Sequence, residues 1–92
     1  MTEYTIHTGR ITKKITERSI DNALRRFFSD VKAKDFGILV SVEYKVGREE
    51  ETKLAPIESC LQKLGIYSKF EKEIKELFAN KKSSRKGVID YD

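Results

Sequence analysis

Cysteine is almost absent from this chain of 92 residues: Cys60 stands alone, proline, methionine and histidine also occur once each, and tryptophan does not occur. A single cysteine makes no internal disulfide, so a domain this small must draw its stability from packing, within the chain or against a partner. His7 and Cys60, separated by most of the chain, exclude a zinc site or a Cys–His nucleophilic pair built from these residues alone. The lack of cysteine pairs suits a reducing compartment, and the start MTEYTIH lacks the basic and then apolar regions of a secretory signal, so a cytoplasmic location is expected. The least polar stretch, Phe36 to Val42, is seven residues long and includes a serine. A membrane span needs roughly 20, and no membrane partner is expected.

What is present is a charged, foldable chain. Hydrophobic residues make up 38% and charged residues 37%, the formal net charge is +4, and five Phe with four Tyr suffice for a core. Residues 2–8 alternate, with Tyr4 and Ile6 on one side and Thr5 and His7 on the other, as a half-buried strand does. After a Thr8-Gly9-Arg10 turn, Thr16 is a plausible N-cap for a helix to about Phe28 with Ile20, Ala23, Leu24, Phe27 and Phe28 on one face. A second strand follows, with Ile38, Val40, Val42, Tyr44 and Val46 on its buried side. Gly47-Arg48 suits a two-residue type II′ hairpin leading into EEETKL, either an acidic loop or an edge strand guarded by charge.

Pro56 suits the first turn of a helix to Leu64, with Ile57, Cys60, Leu61 and Leu64 inward and Gly65 at its stop. Ser68 and Glu71 read as a capping box for another helix, which carries Phe70, Ile74, Leu77 and Phe78 and ends near Asn80. The expected fold is a single α+β domain over residues 1–80, a small antiparallel sheet with helices on one face. Its order is strand, helix, strand, strand, helix, helix, without internal repeat. A last strand in VIDYD would make it a ferredoxin-like split βαβ arrangement; otherwise residues 81–92 are a flexible basic segment.

The charge is distributed unevenly. Residues 1–35 hold eight basic and five acidic side chains, residues 36–58 three and five, and residues 59–92 eight and five. Arg10, Lys13 and Lys14 lie on the expected loop before the first helix, whose free N–H groups favour anions. Arg18 and Arg25, one heptad apart, form with Arg26 a partial arginine stripe. Together the six could make one basic surface, assisted by an arm of Lys81, Lys82, Arg85 and Lys86 that binds phosphates without sequence preference. Each cluster also reads as ordinary solvated charge. Glu49, Glu50 and Glu51 alternate faces on a strand and so cannot converge on one metal ion; they mark a guarded edge or a contact for a basic partner. Tyr4 and Tyr44 fall on buried faces, which argues against an RNA-recognition sheet with exposed stacking aromatics. His7 is an isolated surface histidine with no carboxylate placed near it, and Cys60 a small core residue.

Ile6-His7-Thr8-Gly9-Arg10, followed by Ile15-Thr16-Glu17 and an amphipathic helix, resembles the opening of the ribosome hibernation factors. That resemblance implies a βαβββα fold and a basic helix face on the small ribosomal subunit, although here at most one strand follows the strand from Ile38 and the closing helix is broken at Gly65. Gly9-Arg10 after a first strand is also similar to the entry of acylphosphatases, with Ile11-Thr12-Lys13-Lys14 in place of their glycine-rich phosphate loop. The expected function is therefore that of a small non-enzymatic protein, without cofactor or metal, contacting RNA or a ribonucleoprotein through the basic residues. The alternative is a protein-interaction module, an inhibitor or adaptor using an open sheet edge or the Glu49–Glu51 hairpin, with a homodimer among its forms.

Overall fold

A computed structural model describes the backbone of residues 1–89 and the side chains of residues 1–79. Two hairpins and three helices follow one another: β1 (Thr2–Thr8), β2 (Ile11–Glu17), α1 (Ile20–Asp30), a single 3-10 turn (Ala33–Asp35), β3 (Leu39–Val46), β4 (Glu49–Pro56), α2 (Ile57–Leu64) and α3 (Tyr67–Ile89). The strands form one antiparallel sheet in the order β2-β1-β3-β4. The helices pack on one face of it, which is the α+β class that the sequence implies.

The core forms because residues at period 2 on the strands meet residues at helical spacing on the helices. Tyr4, Ile6 and Thr8 of β1 and Val40 and Val42 of β3 point into it, against Ala23, Leu24, Phe27 and Phe28 of α1 and Ile57, Cys60, Leu61 and Leu64 of α2. Phe36, just before β3, packs edge-on against Phe28 and Phe70, its ring centroid 5.4 Å from each. That chain of rings ties α1 and α3 to the segment entering β3.

Residues 11–17, expected as a loop into a helix, are a strand. Ile11, Lys13, Ile15 and Glu17 are half-buried toward the helices while Thr12, Lys14 and Thr16 are exposed, the alternation of a β-branched edge strand. The four-residue spacing of Ile11 and Ile15 fits a strand as well as a helix, and the intervening Lys13 disguises the alternation. Its stem follows the sheet while its ammonium reaches Asp30 at 3.9 Å. The helix start accordingly moves from Thr16 to Ser19, whose Oγ accepts the Asn22 N–H at 3.2 Å.

At its far end α3 runs to Ile89 instead of stopping near Asn80. Residues 88 and 89 are helical, so the last strand is not formed there and the ferredoxin-like reading that depended on it does not apply. Residues 90–92 lie outside the described residues.

Against the expectation of no internal repeat, the chain contains a structural one that its letters do not show. Two β-hairpins, each followed by a helix, lie about a pseudo-two-fold axis through the paired residues Thr5 and Glu43. Shifting by 38 positions, the separation of Thr5 and Glu43, superposes Gly9-Arg10 on Gly47-Arg48, the only residues of 2–17 identical to their counterparts in 40–55. Both glycines have positive φ, 56° and 65°, whereas neither arginine does. Positive φ at the first central position alone is the signature of a type II′ hairpin.

Candidate interaction surfaces

The six basic residues of the amino-terminal third do not gather on one face. Lys13 and Arg26 come together in a shallow groove between β2 and α1, lined also by Lys14, Ile15, Thr16 and Asp30. Acids partner both: Lys13 Nζ lies 3.9 Å from Asp30, and Arg26 donates to Glu17 Oε2 at 3.1 Å. Lys14 borders this groove at the sheet edge, but it alternates with Lys13 along β2, so its side chain projects from the opposite face of the sheet. Arg10 occupies the β1–β2 turn, its N–H donating to the Asp35 carbonyl at 3.2 Å. Arg18 follows the end of β2. Arg25 and Arg26 diverge by about 100° around α1. Arg25 lies toward the flank of Asp21, which lines a groove against α2, and Arg26 toward β2. For Lys81, Lys82, Arg85 and Lys86 the side chains lie outside the described residues.

The open face of the sheet is polar. The strand registers place Thr12, His7, Ser41 and Leu54 in one row across it and Lys14, Thr5, Glu43 and Thr52 in the next. His7 Nδ1 lies 2.7 Å from Thr12 Oγ1. No Tyr or Phe occupies these rows, and the two tyrosines of the sheet pair on its helix side with ring centroids 5.3 Å apart. Base stacking on this sheet has no platform among the described residues.

The β3–β4 hairpin carries the most exposed edge. Every residue of β4 is exposed except Ala55, which is partly so, and no strand among the described residues pairs with its outer side. A two-residue loop makes its flanking pair, Val46 and Glu49, a hydrogen-bonded one. By alternation, Glu51, Lys53 and Ala55 bond inward to β3. Glu50, Thr52 and Leu54 then turn their backbone groups outward, and Pro56 at the strand end has no N–H to leave free. Glu49 and Glu51 share the helix side and Glu50 the open side, so the three carboxylates divide between faces. Leu54 is 66% exposed on the open side.

A second groove, about 280 Å³, lies between α1 and α2 beside this edge. Its floor is Leu24, Val40, Val42, Ala55 and Leu64, and Lys53 and Lys63 stand with Asp21 on its rim. Cys60 also lines it. Burial, reinforced by the Asp21 charge, pushes the Cys60 thiol up to about 11, so it is a protonated packing residue at neutral pH. On α3, the Glu71 carboxylate accepts from Lys75 at 2.8 Å and holds that ammonium above its ordinary value.

The sequence does not mark Thr52, Lys53 and Leu54 as site residues, because EEETKL reads equally as an acidic loop. The signal for them was the Gly47-Arg48 turn, which sets the alternation of everything after it. Comparisons with protein-family profiles, curated proteins and solved structures found no match. No helix among the described residues is long and apolar enough to cross a membrane.

Proposed function

We propose that this protein is a non-enzymatic interaction module that binds a protein partner by strand addition to the outer edge of β4. One observation carries this reading: β4 offers eight exposed or partly exposed residues with its outer side unpaired among the described residues, and outward backbone groups at Glu50, Thr52 and Leu54. Main-chain hydrogen bonds from such an edge supply affinity, and side chains alternating across the sheet supply selection. On its helix side, Glu51 and Lys53 favour a partner strand that sets a basic residue against the one and an acidic residue against the other.

RNA contact through the basic residues is supported less well, since Lys13 and Arg26 face acids and Lys14 points the other way. A photo-reactive residue at Thr52, compared with one at Thr12 on the opposite edge, tests the proposal in cell extract. Discrete protein adducts are expected from Thr52 and not from Thr12. Replacing Leu54 with Pro removes an outward N–H without touching the β3–β4 ladder, and should abolish them. Absence of adducts at Thr52, or adducts indifferent to Leu54→Pro, would overturn strand addition.

A further inference from the structure

We infer that the strand added to β4 is β4 of a second copy of this chain, the two running antiparallel about a two-fold axis at Thr52. This rests on the reading of β4 as an interaction edge and names its partner.

The register follows from three requirements. Two copies joined in one continuous sheet with their helices on the same side must pair residues of like face, so residues an even number of positions apart lie opposite one another. Their outward groups, at Glu50, Thr52 and Leu54, must meet in hydrogen-bonded pairs. Like charges must not stand opposite.

Centring on Glu51 opposes the two Glu51 carboxylates, and centring on Lys53 opposes the two ammonium groups. Centring on Thr52 places Glu51 against Lys53 of the second copy twice, both on the helix side. Thr52 then meets Thr52, and Glu50 meets Leu54. Three hydrogen-bonded pairs form at that register, with about six backbone hydrogen bonds. It also sets Glu49 of the second copy opposite Ala55, at the groove whose rim carries Lys53 and Lys63. The two α2 helices leave from opposite ends of the paired strands, since each begins directly after Pro56. Helix therefore does not meet helix.

The other edge of the sheet lacks this complementarity. On the helix side of β2, Lys13 and Glu17 are already engaged within the protomer by Asp30 and Arg26. Glu51 and Lys53 have no ion-pair partner among the described residues. The charges of this guarded edge exclude centring on Glu50, Glu51 or Lys53, and centring on Leu54 would set Thr52 against Pro56 and leave Glu50 off the strand, so one register meets all three requirements.

A charge exchange in the full chain tests this by sedimentation. The wild type should be a dimer. Glu51→Lys and Lys53→Glu should each be monomeric, with helix content unchanged by circular dichroism because both positions are exposed. Their equimolar mixture should recover a heterodimer, since each lysine then faces a glutamate. Independently, Thr52→Cys should form an intermolecular disulfide on mild oxidation, while Glu50→Cys, set opposite Leu54, should not.

A wild-type monomer, a dimer unaffected by either single exchange, or a mixture that stays monomeric would each overturn self-pairing. A wild-type monomer that still yields a foreign protein adduct from Thr52, lost in Leu54→Pro, would overturn the second copy and leave the edge reading standing. No adduct of any mass from Thr52 would overturn both.

Discussion

Gly9 should be the least replaceable residue of the chain, for a reason its turn alone does not supply. A Cβ built on it would lie 2.3 Å from the Asp35 carbonyl oxygen, 2.6 Å from the Gly37 nitrogen and 2.7 Å from the Phe36 carbonyl carbon. All three are backbone atoms, so no side chain can swing aside to make room. Gly47 holds the equivalent position in the other hairpin with nearly the same φ, yet nothing lies within 4 Å of its Cβ position.

The pair therefore separates two costs. Alanine at either site pays roughly 1–3 kcal/mol for a positive-φ backbone conformation that L side chains rarely adopt. Only at Gly9 must the Asp35–Gly37 segment also retreat from β1, losing the Arg10 N–H bond to Asp35. Overpacking of that kind costs roughly 1–3 kcal/mol more. Gly9→Ala is expected to lose about 2–6 kcal/mol and Gly47→Ala about 1–3. A domain of this length has roughly 5–14 kcal/mol in all. Urea unfolding followed by far-ultraviolet circular dichroism measures both. Gly37→Ala adds a check, because its Cβ would lie 2.6 Å from the Gly9 nitrogen without positive φ. Equal losses at Gly9 and Gly47 would refute the close approach as the source of the difference.

Three other outcomes are expected. Thr8, fully buried, donates its hydroxyl to the Leu39 carbonyl at 2.8 Å and accepts the Gly37 N–H at 3.1 Å. Thr8→Val should therefore cost about 1–3 kcal/mol in urea titrations and Thr8→Ser markedly less, whereas equal losses would show that the methyl matters more than the bonds. The folded Cys60 thiol keeps its proton to about 11, against 9.0 for an ordinary thiol. Its burial thus contributes stability in full below pH 9, and that contribution is lost as pH rises through 11. Wild type minus Cys60→Ala stability should fall between pH 8 and 10.5, and alkylation at pH 8 should run about 100-fold below a free thiol. Finally, six basic residues on one face would give single-stranded RNA a log–log salt slope near −4. The separated residues should give a slope shallower than about −2, and a steep slope reduced by Lys14→Ala would restore RNA contact as the leading reading.

The sequence disclosed the helix faces and the buried side of β3 as far as Tyr44, while Val46, expected inward, is exposed beside the hairpin turn; their signal is repeated many times over a dozen residues. Ile20, Ala23, Leu24 and Phe27 have only one arrangement that hides them all. β2 was concealed because one half-buried lysine interrupts a two-residue pattern and because the Asp30 that accommodates it lies far along the chain. The same is true of Gly9-Arg10, where a likeness to anion-binding turns has a steric counterpart in this fold. The glycine lets the Asp35–Gly37 backbone approach, a contact between residues some 27 positions apart, and the arginine N–H serves Asp35.

The basic surface illustrates a more general limit. Charge can be counted along a chain, but whether it sums or cancels depends on strand parity and on acids brought from elsewhere. Lys13 and Lys14 are neighbours in sequence and lie on opposite faces, while Glu17 and Arg26, nine residues apart, form one ion pair. For β4 the dependence runs the other way: Glu51 and Lys53 look like an unremarkable alternation of sign until Gly47-Arg48 fixes which backbone groups face outward. Once that parity is set, Glu51 and Lys53 on the helix side of β4 discriminate among registers, so exchanging either one alone should affect association far more than folding.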